Sequence, residues 1–248
     1  MNRVLEVCVD GVDSALKAMR AGADRLVVCS DLILGGTTPD VNLFYEVRNH
    51  LDLPVSVLIR PRCGDYCYTP GEFEIMKNAA AMFHDAGADS LLAGILMPDG
   101  ALDVLRMDEL VVAAKKTPMI LNRAFDFCRS PAEAFEQAKM MGLGGVLTSG
   151  QCRRCYDGRG LIAQMILNAD GLEVDVTGEI EPRELSAFCR VTAARVFHFS
   201  GQKKTDSSMT YRKERPVGEL PSGMDEYSIW ETDLQKLAAV RAALDAGE

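Results

Sequence analysis

The chain has 248 residues, of which 48% are hydrophobic and 25% are charged, and its net charge at pH 7 is −9. These values are typical of one globular domain with a full core, and the negative charge argues against a nucleic-acid-binding protein, which needs clustered Lys and Arg. The sequence has no apolar run of about 20 residues and no signal-like start, so we expect no membrane span, a cytoplasmic location and reduced cysteines.

Eight short apolar runs recur along the chain, and each ends in a polar or glycine-rich turn. The predicted strands are 5–10, 25–30, 55–62, 90–96, 119–126, 145–150, 172–178 and 195–201. Helical patterns lie between them at 14–21, 42–50, 71–86, 107–115, 131–141, 158–169 and 181–191. A long polar loop is predicted over about 201–223, and a closing C-terminal helix falls within 225–244. This alternation predicts an α/β fold, a TIM (β/α)8 barrel that spans 1–248 as a single domain.

The strand pattern also predicts which polar side chains share the inner face of the barrel, because residues two apart along a strand point the same way. The inner set is Glu6, Cys8, Asp10, Arg60, Arg62, Asn122, Asp126, Asp175, Thr177, Glu179, His198 and Ser200. Charges inside a barrel need partners or solvent, so we expect a solvated pocket at the C-terminal ends of the strands. The alternative is a structural network in which Glu6 and Asp126 neutralise Arg60 and Arg62.

Seven strings in the same order resemble the CutC family, whose members are called copper homeostasis proteins. They are LEVCVD (5–10), GADRLVVC (22–29), GGTTP (35–39), IRPR (59–62), NRAFD (122–126), LTSG (147–150) and FHFS (197–200). The resemblance extends to EYSIWETD at 226–233. It implies a cytosolic TIM barrel that forms a homo-oligomer, a dimer or a tetramer, and that binds Cu(I) through two family cysteines, which correspond to Cys8 and Cys29.

The thiols of Cys8 and Cys29 fall on consecutive strands at comparable depth, and Cu(I) is a soft ion that prefers thiolates. Copper binding at this pair is therefore the leading hypothesis. The alternative is that each cysteine is a small buried hydrophobe.

The chain departs from the family pattern at three places near the predicted mouth. Val27 replaces a usual acidic residue, Asn122 replaces a usual histidine, and 177–180 replaces a glycine-rich turn. These differences predict a divergent member with an altered ligand, and they also favour an assembly or regulatory protein that binds without turnover.

A second hypothesis is an enzyme or binding protein for a small anionic metabolite, a phosphorylated compound included, at the same end of the barrel. No particular reaction is indicated. Arginine holds anionic oxygens well, and neighbouring polar groups supply further donors. The candidate ligand-binding residues are Arg60, Arg62, Asp65, Asn122, Arg123, Ser149 and Gly150. The candidate catalytic residues are Glu6, Asp126 and His198, with Glu6 or Asp175 acting as an acid or base if burial raises its pKa.

Two further thiol pairs are predicted to lie on the rim of the barrel. Cys152 and Cys155 form a CxxC motif, and Cys63 and Cys67 follow the third strand. Arginines beside the CxxC motif are expected to lower its thiol pKa values and to favour redox sensitivity over zinc binding.

Overall fold

A closed barrel of eight parallel strands organises the structure, a computed structural model that describes residues 3–214 and 224–246. The barrel strands are β1 (Val4–Val9), β2 (Arg25–Val28), β3 (Val55–Leu58), β4 (Ser90–Ala93), β5 (Met119–Leu121), β6 (Gly145–Thr148), β7 (Glu173–Val176) and β8 (Val196–Phe199). They pair in chain order, and β8 closes the barrel against β1. The predicted TIM barrel is confirmed.

The helices cover the outside of the barrel. They are α1 (Val12–Arg20), α2 (Val41–His50), α3 (Pro70–Asp85), α4 (Val104–Ala113), α5 (Pro131–Met140), α6 (Arg159–Leu167), α7 (Pro182–Thr192) and α8 (Leu234–Asp245). The outward side chains of the strands, such as Leu5, Val7 and Val9, are fully buried against these helices and form the main core. Within the described ranges, no helix combines the length and apolar character needed to cross a membrane.

All eight barrel strands end before their predicted bounds, and in two of them this moves a predicted site residue off the strand. The third stops at Leu58, so Arg62 lies in the following loop. The fifth stops at Leu121, because the side chain of Asn122 accepts a hydrogen bond from the backbone N–H of Ala124 and begins a 3-10 helix (Arg123–Phe127). Asp126 therefore sits on a helical turn and not on the strand.

The segment after β8 begins with a strand where the sequence predicts a loop. Strand β9 (Gln202–Asp206) pairs antiparallel with β10 (Ser228–Thr232), outside the barrel. Both strands are largely polar and solvent-exposed, so they lack the apolar alternation that marks a half-buried strand. The part of the predicted loop at 215–223 lies outside the described residues.

The loop after β6 folds tightly over the mouth because two glycines meet there. Gly150 has a φ of +70°, and a Cβ atom on Gly158 would lie 2.4 Å from the carbonyl oxygen of Ser149 and 2.7 Å from that of Gly150. These neighbours are backbone atoms, so they cannot rotate away from an added methyl group.

We predict that Gly158→Ala lowers the free energy of unfolding by about 2 kcal/mol or more, because the backbone has to shift to admit the methyl group. The matched control is Gly160→Ala, an exposed position in α6 with no atom within 4 Å of the added Cβ. Alanine there is expected to raise stability by up to about 1 kcal/mol. Urea denaturation measures both, and equal midpoints for the two variants would contradict the account of this loop.

Candidate functional site

A buried ion cluster crosses the inside of the barrel below its mouth. Glu6 on β1 is paired in register with Arg25 on one side and with His198 on the other. Its carboxylate oxygens lie 2.6 Å from Arg25 Nε and 2.7 Å from His198 Nδ1. Glu6 is fully buried, so its charge depends on these two partners.

Arg25 extends the cluster to β7. Its Nη2 atom lies 2.8 Å from a carboxylate oxygen of Glu173 and 3.2 Å from one of Asp175. Burial and the negative charge of Glu6 raise the pKa of Asp175 well above its usual value, against the attraction of Arg25. Asp175 is therefore harder to ionise than an ordinary aspartic acid. The carboxylates of Glu6 and Glu173 form the shorter contacts with the cations of the cluster, Arg25 and His198.

The Glu6–His198 pair is an ion pair at neutral pH. Burial opposes protonation of His198, but hydrogen bonds to Cys8 and Glu6 outweigh it and raise the pKa of His198 to about 9. Burial likewise opposes ionisation of Glu6, yet the hydrogen bond and charge of His198, together with Arg25, lower the Glu6 pKa overall. The condition for acid or base chemistry, a pKa raised by burial, is therefore met at Asp175 and not at Glu6.

The two cysteines of the copper hypothesis meet directly above this cluster. Cys8 and Cys29 are both buried, and their Sγ atoms are 3.5 Å apart. The hydrogen bond between Cys8 and Cys29, together with burial, raises the pKa of the Cys8 thiol well above its usual value, although His198 lowers it. Their neighbours inside the barrel are apolar: Val27, Leu58, Leu92, Ile120 and Leu147.

A cavity of about 190 Å³ opens above the thiols, at the C-terminal ends of the strands. Apolar side chains form its wall on one side, and Cys8 and His198 contribute polar atoms from the barrel interior. Five of the predicted site residues line it directly: Cys8, Arg60, Asn122, Arg123 and His198.

Arg60 is held over the mouth by neutral groups. Its guanidinium donates to the carbonyl oxygens of Gly35, Gly36 and Gly64 at 2.7–3.2 Å and lies on the ring of Tyr66. Only 6% of Arg60 is exposed, and no carboxylate of the described residues forms an ion pair with it. The network in which Glu6 and Asp126 neutralise Arg60 and Arg62 is therefore wrong, because Glu6 pairs with Arg25 and His198, and Asp126 pairs with Arg123.

Asn122 lines the same cavity and carries an unused hydrogen-bond donor. Its Oδ1 accepts from the Ala124 N–H at 2.9 Å, and this fixes the orientation of the amide. The Nδ2 atom is buried and has no hydrogen-bond partner among the described residues. Gly94 makes room for this side chain, since a Cβ at that position would lie 2.4 Å from Oδ1.

Asp126 organises the rim rather than facing the cavity. It accepts hydrogen bonds from the Thr148 hydroxyl, from the N–H and hydroxyl of Ser149, and from the backbone of Gln151, and it pairs with Arg123 at 3.0 Å. Gly150 donates to the Thr148 hydroxyl in the same turn. These bonds occupy the carboxylate of Asp126, which explains why it holds the loop after β6.

Arg62 and Asp65 lie outside the cavity. Arg62 forms ion pairs with Asp65 at 3.0 Å and with Glu72 at 2.7 Å, and Asp65 is largely exposed. The early end of β3 puts Arg62 on the rim, where Asp65 and Glu72 neutralise it.

The arginines of the CxxC motif do not lower the pKa of its buried cysteine, Cys155. Burial raises the pKa of Cys155 to about 12, and Arg154 is paired with Glu184 instead of a thiolate. The expected lowering of the Cys155 pKa is therefore wrong. In residues 3–214 and 224–246, no three His, Cys, Asp or Glu side chains form a group that could hold a metal ion.

The sequence analysis does not predict two residues of the site, Arg25 and Tyr66. Arg25 begins β2 and shares the inner face with Val27 and Cys29, so counting back from Cys29 in steps of two would have found it. Tyr66 lies in a loop without periodicity, and no sequence signal indicates that its ring supports Arg60.

The fold and the site define a TIM barrel with a buried thiol pair and a small polar cavity at its mouth. The model of the CutC family matches residues 3–203. The chain is 36% identical over 240 residues to the human copper homeostasis protein cutC homolog, a match that covers 96% of this chain and 88% of the relative. It is 33% identical over 246 residues to a family protein CutC of Chromobacterium violaceum, with 99% of both chains covered.

A CutC crystal structure from Streptococcus agalactiae superposes with a TM-score of 0.76 at 23% identity, covering 80% of this chain and 98% of that one. This likeness concerns the fold. The sequence matches establish the membership: this chain belongs to the CutC family, which links it to copper homeostasis.

We predict that Glu6→Gln lowers the pKa of His198 from about 9 towards its usual 6.5, because Cys8 alone then opposes the effect of burial. A raised folded-state pKa stabilises the protein below pH 6.5, and this stability is lost as the pH rises through about 9. The variant is expected to lose that pH dependence. Imidazole NMR titration measures the shift, with His50 and His84 as internal references, and an unchanged His198 titration would disprove the ion pair.

Proposed function

We propose that this protein binds one Cu(I) ion between Cys8 and Cys29 and acts in copper homeostasis. The observation that carries the proposal is the 3.5 Å distance between the two buried sulfur atoms, which lets one ion contact both. The copper homeostasis name of the human relative supports the same role.

The donor set suits Cu(I) better than other common metal ions. Thiolates are soft ligands that select Cu(I), whereas structural zinc sites use four ligands and calcium sites use six or more oxygens. Two sulfurs without a third ligating side chain from the described residues favour an ion that accepts low coordination. The apolar surroundings of Val27, Leu58 and Leu92 limit the access of water to the pair.

Nearby cations offset the charge of the proposed site. Cu(I) with two thiolates carries one net negative charge, which is unfavourable in an apolar interior unless it is compensated. Protonated His198 hydrogen-bonds to Cys8, and Arg60 lines the same cavity. The raised pKa of Cys8 means that Cu(I) displaces a proton on binding, so its apparent affinity rises with pH.

A second candidate function is the binding of a small anionic metabolite at the same mouth. The buried charge of Arg60, which no described carboxylate pairs with, favours it. Membership in the CutC family supports the proposals of a cytoplasmic location and of a homo-oligomer, dimer or tetramer.

We predict that the reduced protein takes up one tightly bound Cu(I) ion in an anaerobic titration against a chromogenic chelator. The Cys8→Ser, Cys29→Ser double variant is expected to lose at least about a hundredfold in Cu(I) affinity. Removing only a residue that hydrogen-bonds to a metal ligand already lowers metal affinity by up to about a hundredfold.

The matched control is Cys63→Ser, Cys152→Ser, which also removes two of the eight cysteines but leaves the buried pair intact. It is expected to titrate like the wild type. Equal Cu(I) affinity in both double variants would refute the site and identify the buried thiols as core packing.

A further inference from the structure

The cavity above the thiols has an unbalanced charge. Below it, Arg25 and His198 are paired with Glu6, Glu173 and Asp175, and at its rim Arg123 is paired with Asp126. Arg60 is 94% buried and has no ionic partner among the described residues. An isolated buried cation is costly, so the cavity wall favours an anion with a single charge.

Two buried donors without partners point to the same ligand. Arg60 Nε and Asn122 Nδ2 are both buried without a hydrogen-bond acceptor in the described part of the chain, and both residues line the cavity. An unsatisfied buried donor costs about 1–3 kcal/mol, and a bound acceptor removes that cost. Arg60 stands at the end of β3 and Asn122 at the end of β5, so two separate acceptor groups suit them better than one.

The remaining wall is apolar and the space is small. Val27, Leu32, Leu58, Leu92 and Leu147 line the cavity, and its volume is about 190 Å³. That is roughly six times the volume of a liquid water molecule, which admits a ligand of on the order of six to ten non-hydrogen atoms. The apolar wall favours a short aliphatic tail.

The region where TIM barrels often hold phosphate is unsuited to it here. A neighbouring hollow between the loops after β7 and β8 contains Glu179 and Glu181 together with Arg123, Arg153 and Lys236. Two of these cations are already in ion pairs, Arg153 with Glu179 and Arg123 with Asp126. Glu181 stands at the N-terminus of α7, where its backbone N–H, which a phosphate would use, already donates to the carboxylate of Glu184 at 2.9 Å. The charge and size of the inner cavity favour a carboxylate over a phosphorylated compound.

We infer that the cavity binds the monoanion of a short aliphatic hydroxy or oxo carboxylic acid, with Arg60 facing the carboxylate and the Asn122 amide donating to the second oxygen group. This inference gives the second candidate function its ligand class, and it does not depend on copper.

The test is a ligand-observed NMR titration of the copper-free protein with 2-hydroxy-3-methylbutanoate and 2-oxo-3-methylbutanoate. We expect one of them to bind with a Kd on the order of 1 mM or tighter, as befits a ligand of about eight non-hydrogen atoms. The uncharged 2-hydroxy-3-methylbutanamide and inorganic phosphate are expected to bind at least about tenfold more weakly.

The variant Asn122→Asp keeps the oxygen that accepts from Ala124 but replaces the donating amide with an acceptor. It is expected to weaken acid binding at least about tenfold. The matched control is Asn78→Asp on an exposed face of α3, which makes the same charge change and should bind like the wild type.

Three results would overturn the inference. They are no saturable binding of either acid up to about 10 mM, binding of the amide or phosphate as tight as that of the acid, or unchanged binding by Asn122→Asp. If that variant does not fold, the comparison of acid, amide and phosphate on the wild type decides. The acid titration uses copper-free protein in which both thiols are retained. A negative result therefore refutes the acid site without bearing on Cu(I) binding, which the separate Cu(I) titration tests.

Discussion

The ion pair between Glu6 and His198 is the constraint on which the rest of the site depends. It joins the first and last strands at the seam where the barrel closes, and Arg25 connects it to β7. A fully buried carboxylate is tolerated only with such partners. The pair also keeps His198 protonated directly beneath Cys8, so one interaction sets both the closure of the barrel and the charge beneath the thiols.

Above this pair, the inner side chains change from apolar in one layer of the barrel to charged and polar in the next. The layer around Cys8 and Cys29 is apolar except for the two sulfurs, and the layer above it offers Arg60 and Asn122. The thiol pair therefore lies among apolar side chains, and the cavity above it carries the positive charge of Arg60 and donors without partners. The two proposed ligands therefore occupy different layers, Cu(I) the layer of the thiols and the carboxylate the cavity above it. Cys8 and His198 border both layers.

The sequence predicts the barrel, the inward direction of Glu6, Cys8 and His198, and the place of Asn122 at a strand end, because these depend on alternation along short strands. It does not predict which charges pair. Arg25, Glu6 and His198 come from three strands, and only the register of β1 between β2 and β8 makes them neighbours. The positions of Arg62 and Asp126 are missed because caps and turns end β3 and β5 early.

We propose that the two sulfurs of Cys8 and Cys29 alone ligate Cu(I) in this barrel. X-ray absorption at the copper K edge, on reduced protein loaded with one equivalent of Cu(I), tests it most directly because it reports the kind and number of ligating atoms. The account predicts a Cu(I) spectrum with two sulfur neighbours, which disappears in the Cys8→Ser, Cys29→Ser double variant. A spectrum dominated by nitrogen or oxygen neighbours, or one that is unchanged in that variant, would contradict it.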